Sequence, residues 1–124
     1  MGVEFELTKE LPPGKAGVAV IHLAGWLDAQ SEARLVEAVQ RAREEGITHI
    51  LLDLAEVDTV TSAGIRAMQK SYQLLTPKGA DAKARFLKLC NASPQVYQVL
   101  NVTGLLMRIP VYESQDIAID SFPA

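Results

Sequence analysis

Two apolar runs on either side of an amphipathic helical pattern constrain the fold of this chain more than any other feature. The runs Val18–Leu23, "VAVIHL", and Ile47–Leu54, "ITHILLDL", have the length and the β-branched content of buried strands. Between them, from about Ala29 to Glu45, apolar residues recur along one face of a helix: Leu35, Val36, Val39 and Ala42. Two strands joined by a helix through short connections form a βαβ unit, in which the strands run parallel and the crossover is right-handed.

The rest of the chain continues the alternation of strand and helix. The further predicted strands are Val3–Leu7, Ala84–Leu89 and Ile109–Tyr112, and the further predicted helices begin in "TVTSAGI" and at Ser93-Pro94 and Ser114. The sequence therefore predicts one α/β domain over residues 1–124. Its four- to five-stranded sheet is mixed but mostly parallel, has the N-terminal strand at an edge, and is flanked by about four helices.

Composition excludes several classes of protein. The net charge is −3, whereas nucleic-acid-binding proteins usually carry a basic surface. No apolar run approaches the length of about 18 residues that a membrane span requires, and the charged N-terminus does not resemble a signal peptide. The single cysteine, Cys90, suits a reducing compartment. We therefore expect a cytoplasmic protein without direct nucleic-acid binding or membrane insertion.

The groups needed for catalysis are missing from the sequence. Its two histidines, His22 and His49, each lie within an apolar strand run, and Cys90 reads as a small core residue. No glycine-rich phosphate loop follows a strand, and Ser62 lacks the flanking glycines of a hydrolase nucleophile and a candidate base. We predict no enzyme activity, no cofactor and no metal site.

Polar residues follow two neighbouring strands instead. Parallel α/β folds carry their functional loops at the carboxyl ends of the strands, so Asp28 and Ser62 are expected at the same edge of the sheet. Ser62 would begin a helix whose free amides and positive dipole end favour a phosphate, and the small residues Ala63 and Gly64 would let a partner approach. The alternative is that Thr61 or Ser62 is an ordinary N-cap.

Four motifs in this order resemble the STAS domain, specifically the stand-alone bacterial anti-sigma-factor antagonists. The first is Gly25-Trp26-Leu27-Asp28, which follows the second strand. The others are Asp53-Leu54 at the end of the third strand, Thr61-Ser62-Ala63-Gly64-Ile65 at the helix start, and Ser93-Pro94-Gln95-Val96 with a later Gly104-Leu105. The similarity spans nearly the whole chain.

The resemblance implies a protein that binds an anti-sigma factor, itself a serine kinase, and so releases a sigma factor. It places the phosphoacceptor on Ser62, with Thr61 as the alternative, and implies a PP2C-type phosphatase as a further partner. The expected partner-binding residues are Trp26, Asp28, Asp53, Thr61, Ala63 and Gly64. Thr61 stands where the family motif commonly has Asp, which removes a carboxylate beside the acceptor. The alternative implied by the family is an accessory or scaffold subunit of a transporter or stressosome-like complex, without a phosphoswitch.

Overall fold

The structure, a computed structural model, describes residues 5–81 and 84–123. Within these residues the chain forms five strands and four α-helices. They are β1 (Glu6–Glu10), β2 (Val18–Leu27), α1 (Ala29–Glu44), β3 (His49–Val60), α2 (Ser62–Leu75), β4 (Leu87–Cys90), α3 (Pro94–Val102), β5 (Val111–Tyr112) and α4 (Gln115–Asp120), with a 3-10 helix at Leu105–Met107. Val3 and Glu4, at the start of the predicted first strand, lie outside the described residues. None of the described helices is long and apolar enough to cross a membrane.

The five strands form one mixed sheet in the order β1-β2-β3-β4-β5. β1 pairs antiparallel with β2, and every other neighbouring pair is parallel. The prediction of a mostly parallel sheet with the N-terminal strand at an edge is confirmed. β5 forms the other edge and begins directly after Pro110, where the missing amide hydrogen of proline breaks no ladder hydrogen bond.

The two faces of the sheet carry different layers, because side chains alternate along each strand. Ala19, Ile21 and Leu52 are fully buried in the main core, which helices α1, α2 and α3 cover. Val20 and Leu51 point to the opposite face, where α4 packs with residues such as Ala118 and Phe122. Because α4 is only six residues long, part of this second face stays open to polar side chains.

The predicted ends of β2 and β3 were wrong. The sequence placed them at Leu23 and Leu54, with polar loops beyond, but the strands stay paired as far as Leu27 and Val60. Two register irregularities, the second beside Gly25 with its φ of 93°, accommodate the extra residues. These segments have the polar composition of a loop, but pairing with the neighbouring strand provides hydrogen-bond partners for their backbone N–H and C=O groups. β4 also differs from its predicted span, since it is Leu87–Cys90 and not Ala84–Leu89.

Candidate functional site

The site begins where β2 and β3 end together. Leu27 and Val60 are the last residue pair between the two strands, and the Thr61 amide donates a hydrogen bond to the Leu27 carbonyl oxygen at 3.0 Å. Asp28 directly follows Leu27, and Thr61 and Ser62 follow Val60. The structure therefore brings them to the same edge of the sheet, as the sequence predicted.

Ser62 is the first residue of α2, and its side chain is exposed. Thr61 holds the N-cap position with extended backbone, but its hydroxyl does not cap the helix and instead faces the Leu27 carbonyl oxygen at 3.5 Å. Within the described part of the chain, the Ser62 hydroxyl makes no hydrogen bond. Neither hydroxyl therefore accepts a capping hydrogen bond, and the first-turn amides of α2 keep their capacity to hold an anion.

Gly64 places the start of α2 directly against the end of β2. A Cβ atom on Gly64 would overlap the Leu27 carbonyl oxygen and would lie 3.0 Å from Val60 Cγ1. Gly64 is buried, and Ala63 is only 8% exposed. The small size of Gly64 thus has a packing reason within the fold, in addition to the predicted ease of approach for a partner.

Asp28 caps helix α1, a role that the sequence analysis missed. Its carboxylate accepts hydrogen bonds from the amides of Gln30 and Ser31 at 3.0 and 3.3 Å, and the Asp28 amide donates to Ser31 Oγ at 2.8 Å. This reciprocal capping box holds Asp28 at the edge of the sheet near the start of α2. The available signal was an Asp directly before a helical apolar pattern, with a polar residue three positions later.

Trp26 presents an aromatic side chain beside this site. It pairs with Thr59 across the two strands, is 39% exposed, and donates its indole N–H to Asp58 Oδ2 at 3.1 Å. The hydrogen bond orients the ring and keeps one carboxylate next to it. The end of the β2–β3 pair, from which Ser62 follows, therefore carries an exposed aromatic ring and the carboxylates of Asp28 and Asp58.

Asp53, which the family resemblance counts among the partner-binding residues, lies some distance from Ser62. It lies within β3, seven residues before Val60, which corresponds to about 23 Å along an extended strand. Its carboxylate accepts hydrogen bonds from the Asn91 side chain at 3.0 Å and from the Ala55 amide at 3.1 Å. Asp53 and Ser62 are separated because the strand continues past Asp53, and the predicted role of Asp53 in partner binding stays a prediction.

Asp53 instead forms a second polar cluster with His22 and Glu10. The His22 ring nitrogens Nδ1 and Nε2 lie 2.8 Å from Asp53 Oδ2 and 2.7 Å from Glu10 Oε1. An ionised carboxylate only accepts hydrogen bonds, so this arrangement favours the doubly protonated imidazolium. Burial opposes the charge, but the two carboxylates outweigh it and raise the pKa of His22. No local pattern in the sequence predicts this cluster, because it depends on the strand register that sets His22 beside Asp53.

An ion-pair cluster ties α1 to α2 one turn beyond Ser62. Glu32 accepts two hydrogen bonds from Arg66, each at 2.9 Å, and one from Lys70 at 3.0 Å. These hydrogen bonds lower the pKa of Glu32 to about 2. Arg66 lies four residues after Ser62 and is therefore its neighbour on the helix surface.

The remaining groups that the sequence offered for chemistry are the Cys90 thiol and the side chains of metal-binding type. Cys90 is fully buried, and burial, followed by the nearby Asp53, raises the pKa of its thiol to about 12. Its prediction as a core residue is confirmed. The described residues hold no group of three or more His, Cys, Asp or Glu side chains placed to bind a metal ion.

Comparison with known proteins identifies relatives of this chain. An anti-sigma F factor antagonist from Paenibacillus polymyxa is 28% identical over 103 residues, which cover 80% of this chain and 81% of that protein. The crystal structure of an anti-sigma factor antagonist from Mycobacterium paratuberculosis superposes with a TM-score of 0.77 at 19% identity, over 95% of this chain and 93% of the other. The phosphorylated form of the Bacillus cell fate determinant SpoIIAA superposes with a TM-score of 0.64 at 23% identity, over 94% of this chain and 97% of the other.

A family model also matches this chain. The model of the STAS domain matches residues 12–118, a range that includes the strands β2 and β3, the exposed Ser62 and the capping residue Asp28. The predicted fold class is confirmed by the mixed five-stranded sheet with four helices and by its similarity to the solved structures. This chain belongs to the STAS domain family.

Proposed function

We propose that this protein is a non-enzymatic anti-sigma-factor antagonist that is controlled by phosphorylation of Ser62. In its unphosphorylated form it would bind an anti-sigma factor with serine kinase activity and so release a sigma factor. The observation that carries the proposal is the Ser62 hydroxyl, which is exposed at the start of α2 and makes no hydrogen bond within the described residues. The related protein named an anti-sigma F factor antagonist supports the partner class.

The proposed binding surface surrounds Ser62. Trp26 supplies exposed aromatic area of the kind that dominates protein interfaces, while Asp28 and Asp58 supply charge. Thr61 extends this surface at the start of the helix, whereas Ala63 and Gly64 are buried and would contribute through their small size, which keeps bulk away from Ser62. Asp53, which the family resemblance also implied, lies about 23 Å before Val60 along β3, so it would take part only if the interface extends from Ser62 along this strand.

Phosphorylation would act through electrostatics at this surface. A phosphoserine carries a charge of about −1.5 to −2 at pH 7. When a partner covers Ser62, the phosphate would be desolvated near the carboxylates of Asp28 and Asp58. Repulsion between these like charges grows as water is removed, so the phosphorylated form would bind more weakly. The start of α2 is fixed by the Thr61–Leu27 hydrogen bond and by the packing of Gly64, so the switch needs no refolding of the helix.

The partner kinase would transfer the phosphate from ATP, and a PP2C-type phosphatase would remove it. Two of the similar solved structures are of SpoIIAA, one in its unphosphorylated and one in its phosphorylated form, which supports a phosphate switch on this fold. In this scheme the chain acts in the cytoplasm, as one STAS domain over residues 1–124, and is the substrate of both enzymes.

The test uses the cognate anti-sigma kinase, ATP and mass spectrometry that maps the modified residue. We expect one phosphate on Ser62, no phosphate on the Ser62→Ala variant, and normal modification of the matched Thr61→Ala variant. In a binding assay the Ser62→Ala variant should still bind the kinase, and ATP should no longer release it. Phosphate on Thr61 alone would contradict the assignment of Ser62.

The alternative function is an accessory or scaffold subunit without a phosphoswitch. Thr61 favours it, because this residue replaces the Asp that commonly precedes the acceptor serine in the family motif. The same experiment separates the two functions. If the kinase modifies neither hydroxyl, and copurification recovers permease or scaffold proteins, the accessory function replaces the phosphoswitch.

A further inference from the structure

A cavity of about 600 Å³ lies between the C-terminal halves of α1 and α2. We call it the α1–α2 cavity and define it by Arg43, Ile47, Lys70, Thr76, Lys78 and Phe86, which are among its lining residues. Its volume falls within the range of about 300 to 1,000 Å³ that is typical of small-molecule sites. It is separate from the proposed partner surface, since Lys70, the first α2 residue that lines it, lies eight residues or about 12 Å along the helix from Ser62.

The charged side chains that line the α1–α2 cavity are all cationic. They are Arg43, Lys70 and Lys78, and no Asp or Glu lines it. Lys70 already pairs with Glu32, but Arg43 and Lys78 have no ion-pair partner within residues 5–81 and 84–123. In a chain with a net charge of −3, this local excess of positive charge is complementary to an anion.

Part of the cavity wall is apolar and includes one aromatic ring. Ile47, Leu74 and Phe86 line it, and the ring of Phe86 stacks on His49 with 4.9 Å between the ring centroids. Such a wall suits an occupant with a flat apolar body, because aromatic faces prefer offset-stacked contacts.

A polar group without a partner also lies at this cavity. The hydroxyl of Thr76 is shielded from solvent and makes no hydrogen bond within the described residues. A buried hydroxyl without a partner is unfavourable. Thr76 lines the cavity, so rotation of its side chain to another staggered rotamer would offer the hydroxyl to an occupant.

We propose that the α1–α2 cavity is a binding site for a small organic anion with a flat apolar body. Arg43 and Lys78 hold its carboxylate, sulfonate or phosphate group, the apolar wall holds its body, and Thr76 supplies a hydrogen bond. Both cations are exposed, so they are free to reorient toward the anion. This site is independent of phosphorylation at Ser62.

The test is a fluorescence titration of the full chain with 1-anilinonaphthalene-8-sulfonate, a flat aromatic anion. Its neutral counterpart, N-phenyl-1-naphthylamine, measures the contribution of the negative charge. We expect one saturable site for the anion and clearly weaker binding of the neutral compound. Arg43→Gln and Lys78→Gln should each weaken binding of the anion by about tenfold, as the loss of a charge-assisted hydrogen bond predicts.

Arg41→Gln is the matched control, because Arg41 lies on the same helix but pairs with Glu37 outside the cavity. This variant and Ser62→Ala should bind the anion as the unchanged chain does. Amide chemical shifts measured during the titration should change at Ile47, Thr76 and Phe86. Equal affinity for the neutral compound, unchanged binding by Arg43→Gln and Lys78→Gln, or shift changes clustered elsewhere would overturn the proposal.

Discussion

The carbonyl oxygen of Leu27 leaves no room for a side chain on Gly64. This contact joins the last residue of β2 to the first turn of α2, and it fixes where the helix begins relative to the sheet. The position of Ser62, two residues earlier, follows from it. The proposed switch residue is therefore held by backbone packing and does not depend on its own hydroxyl.

Gly64→Ala should destabilise the protein by about 1 to 3 kcal/mol, because the added methyl group overlaps the Leu27 carbonyl oxygen and crowds Val60. In an uncrowded helix the same substitution would stabilise by up to about 1 kcal/mol, so the sign of the effect identifies the clash. Urea denaturation of both proteins measures it. A more stable variant would show that α2 can move away from β2 at little cost.

Ser62→Ala should change the free energy of unfolding by less than about 0.5 kcal/mol, as expected for a surface residue without a structural contact. A larger loss in urea denaturation would show that the hydroxyl caps the helix after all. This small effect makes Ser62→Ala a clean variant for phosphorylation experiments.

Asp28→Ala should lower the free energy of unfolding by about 0.5 to 2 kcal/mol, since it removes the acceptor that caps α1. Asp28→Asn should retain most of the stability, because Asn caps as well as Asp. The two variants separate the effect of Asp28 on stability from its effect on partner binding. If Asp28→Asn is stable yet alters binding to the anti-sigma partner, the negative charge itself contributes to that interface.

Trp26→Ala should weaken binding of the anti-sigma partner by about 30-fold or more, which is the typical effect of truncating a central interface tryptophan. Tyr97→Ala is the matched control, because Tyr97 is similarly exposed, at 45%, but lies on α3. Isothermal titration calorimetry compares the two variants. Equal affinities would place the interface away from Ser62.

His22 should make the stability of the protein depend on pH. Its folded-state pKa is raised above the ordinary value of 6.5, because the hydrogen bonds to Glu10 and Asp53 outweigh the effect of burial. The stabilisation of the folded protein by protonated His22 is therefore complete below pH 6.5, and it is lost as the pH rises through the folded-state pKa of His22. The free energy of unfolding of the unchanged chain and of His22→Gln can be measured by denaturation from about pH 5 to about pH 9. The difference between the two free energies should shrink as the pH rises.

His49 provides the control for that measurement. Burial and the nearby Lys88 lower its pKa, so its protonation opposes folding as the pH falls through 6.5. The effect of His49→Gln should therefore have the opposite dependence on pH. If the loss of unfolding free energy in His22→Gln does not change with pH, the imidazolium bridge between Glu10 and Asp53 is contradicted.

Local patterns in the sequence were sufficient for much of the fold. The strand, helix and strand from β2 to β3 follow from hydrophobic periodicity, and Ser93 and Ser114 cap their helices as predicted. The start of α2 at Ser62 was likewise predicted from local features, which are the apolar stripe of the helix and the short polar segment before it. These features depend on residues close together in the chain, which is why they could be read without the structure.

Contacts between distant segments decided the rest. The polar residues after Leu54 form a strand because the end of β2 supplies their hydrogen-bond partners, and local propensity does not record that pairing. The register of β2 on β3 then sets Asp53 beside His22 and far from Ser62. In the same way, the sequence shows a glycine at position 64, but only the packing of α2 against Leu27 explains why a larger residue does not fit there.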